Sequence, residues 1–284
     1  MAEPFDDVNT LPGSEFVNSY EAQGFVVARG LFSTDEAEFY LTHLNRLRGR
    51  GDRDLDYTGE EHKEQFPRML HMHRWDNTTR DWLLSERIAA SLRALSAGRE
   101  AFAIQTMVYF KDPGRRGQAL HQDQLFVRAQ PGTSMAAWMA LERADEANGC
   151  LQVVPGSHTL PVLCEAEADP EVSFTDVGSQ VPDGLETVPV LMEPGDVLFF
   201  HGNLIHGSLP NTTTDRSRVA LIGHYVTGDA TSVADFYHPV LRMDGTEVEL
   251  EDSPGGGPCG TWVRRDGKLV VEFQDAALNT NANG

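Results

Sequence analysis

A chain of 284 residues with 40% hydrophobic and 23% charged residues has the length and balance of a globular protein with a sizeable core, and excludes a disordered or fibrous one. Its 23 Lys and Arg against 43 Asp and Glu leave a formal charge of −20, a field that repels phosphate backbones and anionic lipid. Neither nucleic acid nor membrane is expected as a partner, and a cationic or neutral small molecule suits the field better.

In chain order, the opening MAEPFDDVNTLPGSEF has neither a basic nor an apolar leader region, and no run of about 18 apolar residues follows, so secretion and membrane spanning are not expected. Ser33 and Glu36 form a capping box ahead of Ala37, Tyr40, Leu41, Leu44 and Leu47, which predicts an amphipathic helix. A polar stretch, RGRGDRDLDYTGEEHKEQ, then reads as a loop. His71 and His73 stand two apart with no identified carboxylate or cysteine partner, and are expected to pack or line a pocket. A second helix is predicted over roughly 80 to 97 from Ile88, Leu92 and Leu95, with Gly98 as its stop.

From Phe102 the character changes to short β-branched and aromatic runs, FAIQTMVYF, SMAAWMALE, CLQVVPG, DVLFF and RVALIGHYV, with turn residues between them. No helix-length pattern intervenes, so an antiparallel sandwich or barrel is expected. The acidic segment 159–187 is long for a compact β core and reads as a lid or binding loop. Gly255 to Gly257 form a flexible turn, and TWVRRDGKLVVEF is a hairpin turning at Asp266 and Gly267. Cys150, Cys164 and Cys259 are odd in number and widely spaced, which predicts no disulfide framework and no zinc site, and favours a reducing cytoplasm.

Two segments carry chemistry. LHQDQLF sets His121 and Asp123 two apart, on one face of an extended strand. EPGDVLFFHGNLIHGSLPN runs through a strand and delivers His206 at the start of a Gly-containing turn. Two histidines and a carboxylate with the remaining coordination positions open suit an iron(II) enzyme that binds oxygen and a chelating co-substrate, whereas structural zinc would need a fourth ligand. Arg218 begins a strand that could return beside the one carrying His206, and Arg216 is the alternative carboxylate anchor. His201 and His158 are read as structural. No G-x-S-x-G elbow, P-loop or dinucleotide fingerprint is present.

LHQDQ, NGCLQVVPGSH and PGDVLFFHGNLIHGS, followed by PN and an arginine pair, together resemble the phytanoyl-CoA dioxygenase family of iron(II) and 2-oxoglutarate-dependent oxygenases, over roughly Ile104 to Tyr225. The resemblance implies a double-stranded β-helix, a cupin-like jelly roll with flanking helices. The whole chain is then one oxygenase domain: a mainly helical part to residue 100, a jelly-roll core over 101–228 with the insert, and an extension over 229–284. It implies His121, Asp123 and His206 as catalytic iron ligands, Arg218 as the 2-oxoglutarate anchor with Ser208 as its hydroxyl partner, and Gln122, Trp138 and Met107 as lining of the co-substrate pocket.

A loop one residue longer than in some members keeps Arg216 open as the anchor. The carboxylate at Asp123, which related halogenases lack, favours hydroxylation or another O2-dependent oxidation of a small molecule of specialised metabolism, releasing succinate and CO2. The rival readings are a cupin-like metal-dependent isomerase or ligand-binding protein that does not use 2-oxoglutarate, and a non-catalytic interaction protein with a vestigial site.

Overall fold

Ser33 and Glu36 exchange hydrogen bonds, Glu36 N to Ser33 Oγ at 3.1 Å and Ser33 N to Glu36 Oε2 at 2.8 Å, so the predicted capping box does start a helix. The computed structural model describes residues 13–50, 68–132, 134–182, 184–253, 259–265 and 268–274, with backbone alone at 50, 261–265 and 268–274. The polar loop expected near Asp52 to Glu64, the Gly255 to Gly257 turn and the hairpin tip at Asp266 and Gly267 lie outside the described residues. The capped helix is α2 (Thr34–Arg50), preceded by α1 (Ser14–Gln23) and strand β1 (Phe25–Ala28). After strand β2 (Arg68–Leu70), the single helix expected over 80 to 97 is two, α3 (Asn77–Leu83) and α4 (Glu86–Leu95). Asp76 caps the first by accepting from Thr79 N at 2.8 Å, and Ser85 turns extended before the second, so two N-cap signals outweigh one run of apolar spacing.

The core strands include all five predicted runs and further short strands between them. They are β3 (Ala101–Lys111), β4 (Gln118–His121), a helical turn α5 (Gln124–Val127), β5 (Ser134–Ala140), β6 (Leu151–Val153), β7 (Ala166–Glu167), β8 (Val177–Gly178), β9 (Val188–Val190), β10 (Val197–His201), β11 (His206–Ser208) and β12 (Arg218–Thr227). The chain closes with β13 (Ser232–Val233), β14 (Val240–Arg242), β15 (Glu247–Val248), β16 (Glu251–Asp252) and the expected hairpin, β17 (Cys259–Arg265) with β18 (Lys268–Gln274). Two antiparallel sheets make the jelly roll: eight strands ordered β1-β10-β5-β12-β3-β14-β15 with β2 on β3, and four ordered β4-β11-β6-β9. Strands from the helical first part and from the C-terminal extension therefore complete the larger sheet.

That sheet is buried on both faces, which is why its strands read as unbroken apolar runs. Along β12, Val219, Leu221 and Tyr225 pack with Leu44, Trp82 and Ile88 of the helices. Ala220 and Ile222 point the other way, toward Leu151 and Val153 of the smaller sheet. The interval between the sheets is where functional side chains collect.

The insert is docked rather than free. Gly117 N donates to Val172 O at 2.7 Å and Phe174 N to Gly117 O at 2.9 Å, so it runs along β4 at the edge of the smaller sheet. One expectation is overturned: Cys164 in the insert and Cys259 in β17 form a disulfide across 95 residues, flanked by Cys164 N to Gly260 O and Gly260 N to Val162 O, both 2.9 Å. Linear spacing carries no record of a hairpin docking on a distant loop. With this bond, the cysteine argument for a reducing compartment falls away. Among the described residues no helix is long and apolar enough to cross a membrane.

Candidate metal centre

β11 and β4 are antiparallel neighbours with His206 opposite His121, which sets the two imidazoles side by side, ring centroids 4.3 Å apart. His206 thus starts a short strand rather than a turn. Gly207 permits the pairing, because a Cβ there would lie 2.7 Å from Gln118 O. Asp123 reaches the same point by a route the strand argument did not foresee. The chain leaves β4 after His121 and turns helical, with Asp123 at φ −59, ψ −33 as the cap of α5. Its Oδ1 lies 3.5 Å from His121 Nε2 and 3.7 Å from His206 Nε2.

His121 Nδ1 lies 2.9 Å from Ala119 O and His206 Nδ1 2.9 Å from Leu204 O. A carbonyl can only accept, so both rings carry a proton on Nδ1 and turn Nε2 inward. Ligand atoms of the three residues lie within 4.8 Å of one another, and this is the one such group among the described residues.

Burial opposes charge on every member. For Asp123 it is outweighed by His206, His121 and His224, which hold the carboxyl well below the usual carboxylate range. For His121 it is outweighed by the hydrogen bond and charge of Asp123 and by the Ala119 carbonyl, so the pKa is raised. In His206 burial prevails over Asp123 and pushes the imidazole down to about 4. A charged carboxylate and a neutral imidazole already poised for a cation, with no fourth histidine, cysteine or carboxylate in the group among the described residues, fit a metal that keeps open positions, as iron(II) does.

From this centre the pocket extends between the sheets to a cationic end. Arg218, 2% exposed, enters from β12, which lies in the larger sheet facing β11 and not beside it as expected. Its Nε donates to Gly149 O at 3.2 Å, its guanidinium carbon lies 5.3 Å from the Trp138 ring centre, and Nη1 is buried without a partner. Lys111, at the end of β3, donates to Ser208 Oγ at 2.7 Å and to Leu209 O. Burial, with Arg218 alongside, holds the Lys111 ammonium well below the usual lysine range, and burial pushes Arg218 down to about 10. A desolvated guanidinium beside a buried lysine, with no carboxylate hydrogen-bonded to either among the described residues, is a receptor for an anion.

Met107, Trp138 and Ser208 line this pocket, and Phe174 of the insert joins them. Gln122 does not. Its amide donates to Pro161 O and Asn203 O and accepts from Leu163 N, so all its polar atoms serve neighbouring backbone outside the pocket. Arg216 also points away, paired with Asp145 at 2.7 and 3.0 Å.

The other histidines fall as read: His73 bonds Thr106 Oγ1, His71 packs on Phe236, and His158 and His201 face each other at 5.6 Å. Lys111 and His224, both lining the pocket, were missed. Parity would have found them, since Lys111 continues the alternation of Met107 and Tyr109, and His224 that of Arg218 and Ile222.

Over residues 20–220 the chain matches the family model for phytanoyl-CoA dioxygenase (PhyH). It is 33% identical over 156 residues to phytanoyl-CoA dioxygenase 1 of Oryza sativa subsp. japonica, covering 55% of each chain. The chain spans about half the length of the curated relatives it matches. Its fold is similar to the carbocyclase SnoK of nogalamycin biosynthesis, described as non-heme and alpha ketoglutarate dependent, with TM-score 0.66, 24% identity, and 81% and 89% of the two chains covered. It is also similar to EctD from S. alaskensis, solved with 2-oxoglutarate and 5-hydroxyectoine, with TM-score 0.63, 22% identity and 77% of each chain covered. The jelly roll, the two-histidine, one-carboxylate centre and a family match over well more than half of its length place this chain in the phytanoyl-CoA dioxygenase family.

Proposed function

We propose that the protein is an iron(II)- and 2-oxoglutarate-dependent dioxygenase that oxidises a small molecule, most simply by hydroxylation. The observation that carries this reading is the pairing of an open metal centre with a buried guanidinium and lysine in one pocket. Bound there, iron(II) with 2-oxoglutarate and O2 supplies an oxidant for a substrate C–H bond, with succinate and CO2 released. His121, His206 and Asp123 hold the metal. Arg218, with Lys111 and the Ser208 hydroxyl beside it, takes the far carboxylate of the co-substrate, where a guanidinium fork is the best match. Trp138, Met107 and Ile222 give that span an apolar wall that excludes water.

The carboxylate at Asp123 occupies the position that a halide would need, which supports oxygenation over halogenation. Neighbours from nogalamycin and ectoine chemistry support a small substrate of specialised metabolism, and the formal charge of −20 supports a cationic or neutral one. The insert, which sends Phe174 into the pocket, is our candidate for the wall that selects it.

The test is anaerobic titration of iron-loaded protein with 2-oxoglutarate, read by the visible charge-transfer band of the chelate. The band is expected in wild type, with half-saturation about a hundredfold higher in Arg218→Ala and unchanged in Arg216→Ala. Absence of the band at full iron occupancy overturns the reading and leaves an isomerase or binding protein that does not use 2-oxoglutarate.

A further inference from the structure

The two oxygens of Asp123 have different surroundings. Oδ1 faces His121 and His206 at 3.5 and 3.7 Å, on the side where the ligand atoms converge. Oδ2 is fully buried, makes no well-aligned hydrogen bond, and has His224 Nε2 in front of it at 3.4 Å. His224 arrives from the opposite sheet. It is 6% exposed, shares the interior face of β12 with Arg218 and Ile222, and its Nδ1 is buried without a partner. At this step β12 and β3 slip register, His224 opposing Gln105 and Tyr225 opposing Ala103, a bulge of the kind that re-aims side chains beside functional sites.

We propose that His224 is a positioning residue of the metal centre: its Nε2–H holds Asp123 Oδ2, so that the carboxylate meets the metal through Oδ1 alone. The inference rests on the metal reading above and adds a reason for the number of open positions. A free carboxylate can close on a metal through both oxygens, and each extra protein donor removes a position that a chelating co-substrate and oxygen require. Tying the second oxygen to the His224 N–H prevents that closure, and it places a proton on Nε2, because a carboxylate oxygen only accepts. His71 offers a contrast inside the same fold. Both of its ring nitrogens are also buried without partners, but the ring lies against Phe236, with no carboxylate to hold.

The test is anaerobic binding of Mn(II) to the metal-free protein, read by the free-ion EPR signal, with Co(II) absorption as a second signature of coordination. His224→Leu removes the donor at similar volume, His224→Gln carries an amide nitrogen to the Nε2 position, and His224→Asn carries it only to Nδ1. Leu and Asn variants are expected to show the weaker Co(II) bands of a higher coordination number and a Mn(II) affinity shifted about tenfold or more from wild type, and Gln the wild-type spectrum with affinity within about threefold. The Asn and Gln pair decides the matter even where the Leu variant fails to fold. Wild-type affinity and spectrum in the Asn variant overturn the role of His224 while leaving the metal centre standing. Failure of the wild type to bind either metal overturns the centre itself, and the role of His224 with it.

Discussion

The smaller sheet contributes strands of three and four residues, β11 and β4, and these carry both metal-facing imidazoles at their ends. The larger sheet is built around β3 and β12, of 11 and 10 residues, each packed on both faces. In the first, β4 and β11 have little apolar burial to lose and a backbone free to turn, as it does between His121 and Asp123. The second is held by the helices on one side and presents Arg218, His224 and Lys111 on the other. Desolvated reactive groups sit where the chain can bend around them, and the long strands supply a rigid wall at a fixed distance. Stability and chemistry are thus separable by sheet, and on β12 by odd and even position.

The largest effect expected from this division is at Asp123. Asp123→Ala should reduce succinate release to background, while the melting temperature of the metal-free protein falls only modestly, because the carboxylate held in its charged form by His206, His121 and His224 is lost but no apolar burial goes with it. A large fall in that temperature would show that the smaller sheet bears structural load after all.

Next comes the opposite face of β12. Leu221→Ala empties a fully buried site against the helices and should cost about 2–5 kcal/mol in denaturant unfolding. Metal affinity of the folded fraction should stay at the wild-type value, and a parallel loss would mean that the two faces are coupled.

The smallest effect belongs to Lys111, whose partners are a hydroxyl and a carbonyl. Lys111→Met should raise the 2-oxoglutarate needed for half-saturation about tenfold with metal affinity unchanged. An undiminished affinity would assign the anion end to Arg218 alone.

What was legible follows the same line. β3, β5, β10 and β12 stood out because burial on both faces leaves only apolar, β-branched and aromatic residues. His121, Asp123 and His206 stood out because a metal demands particular side chains at spacings the chain can close. Lys111 and His224 were hidden because each is a single polar residue inside or at the end of an apolar run, where only strand parity betrays it. The split between α3 and α4 was hidden because apolar spacing continues across Ser85 while the backbone does not. Gln122 misled because the resemblance put it in the co-substrate pocket, yet its side chain turns to the backbone of Pro161, Leu163 and Asn203. The Cys164–Cys259 bond was beyond reach, since nothing in either flank announces the other.

That bond places the end of the chain in mechanical series with the ligand-bearing turn. Leu163, next to Cys164, donates to Gln122 Oε1 at 2.7 Å, and Gln122 is the residue between His121 and Asp123. Tension on the β17–β18 hairpin is thereby delivered to the bend that aims the carboxylate, through one covalent crosslink and one hydrogen bond. In a reducing medium the path narrows to the backbone bonds at Val162 and Cys164, so the same polypeptide handled with or without thiols presents two different degrees of stiffness around its reactive bend.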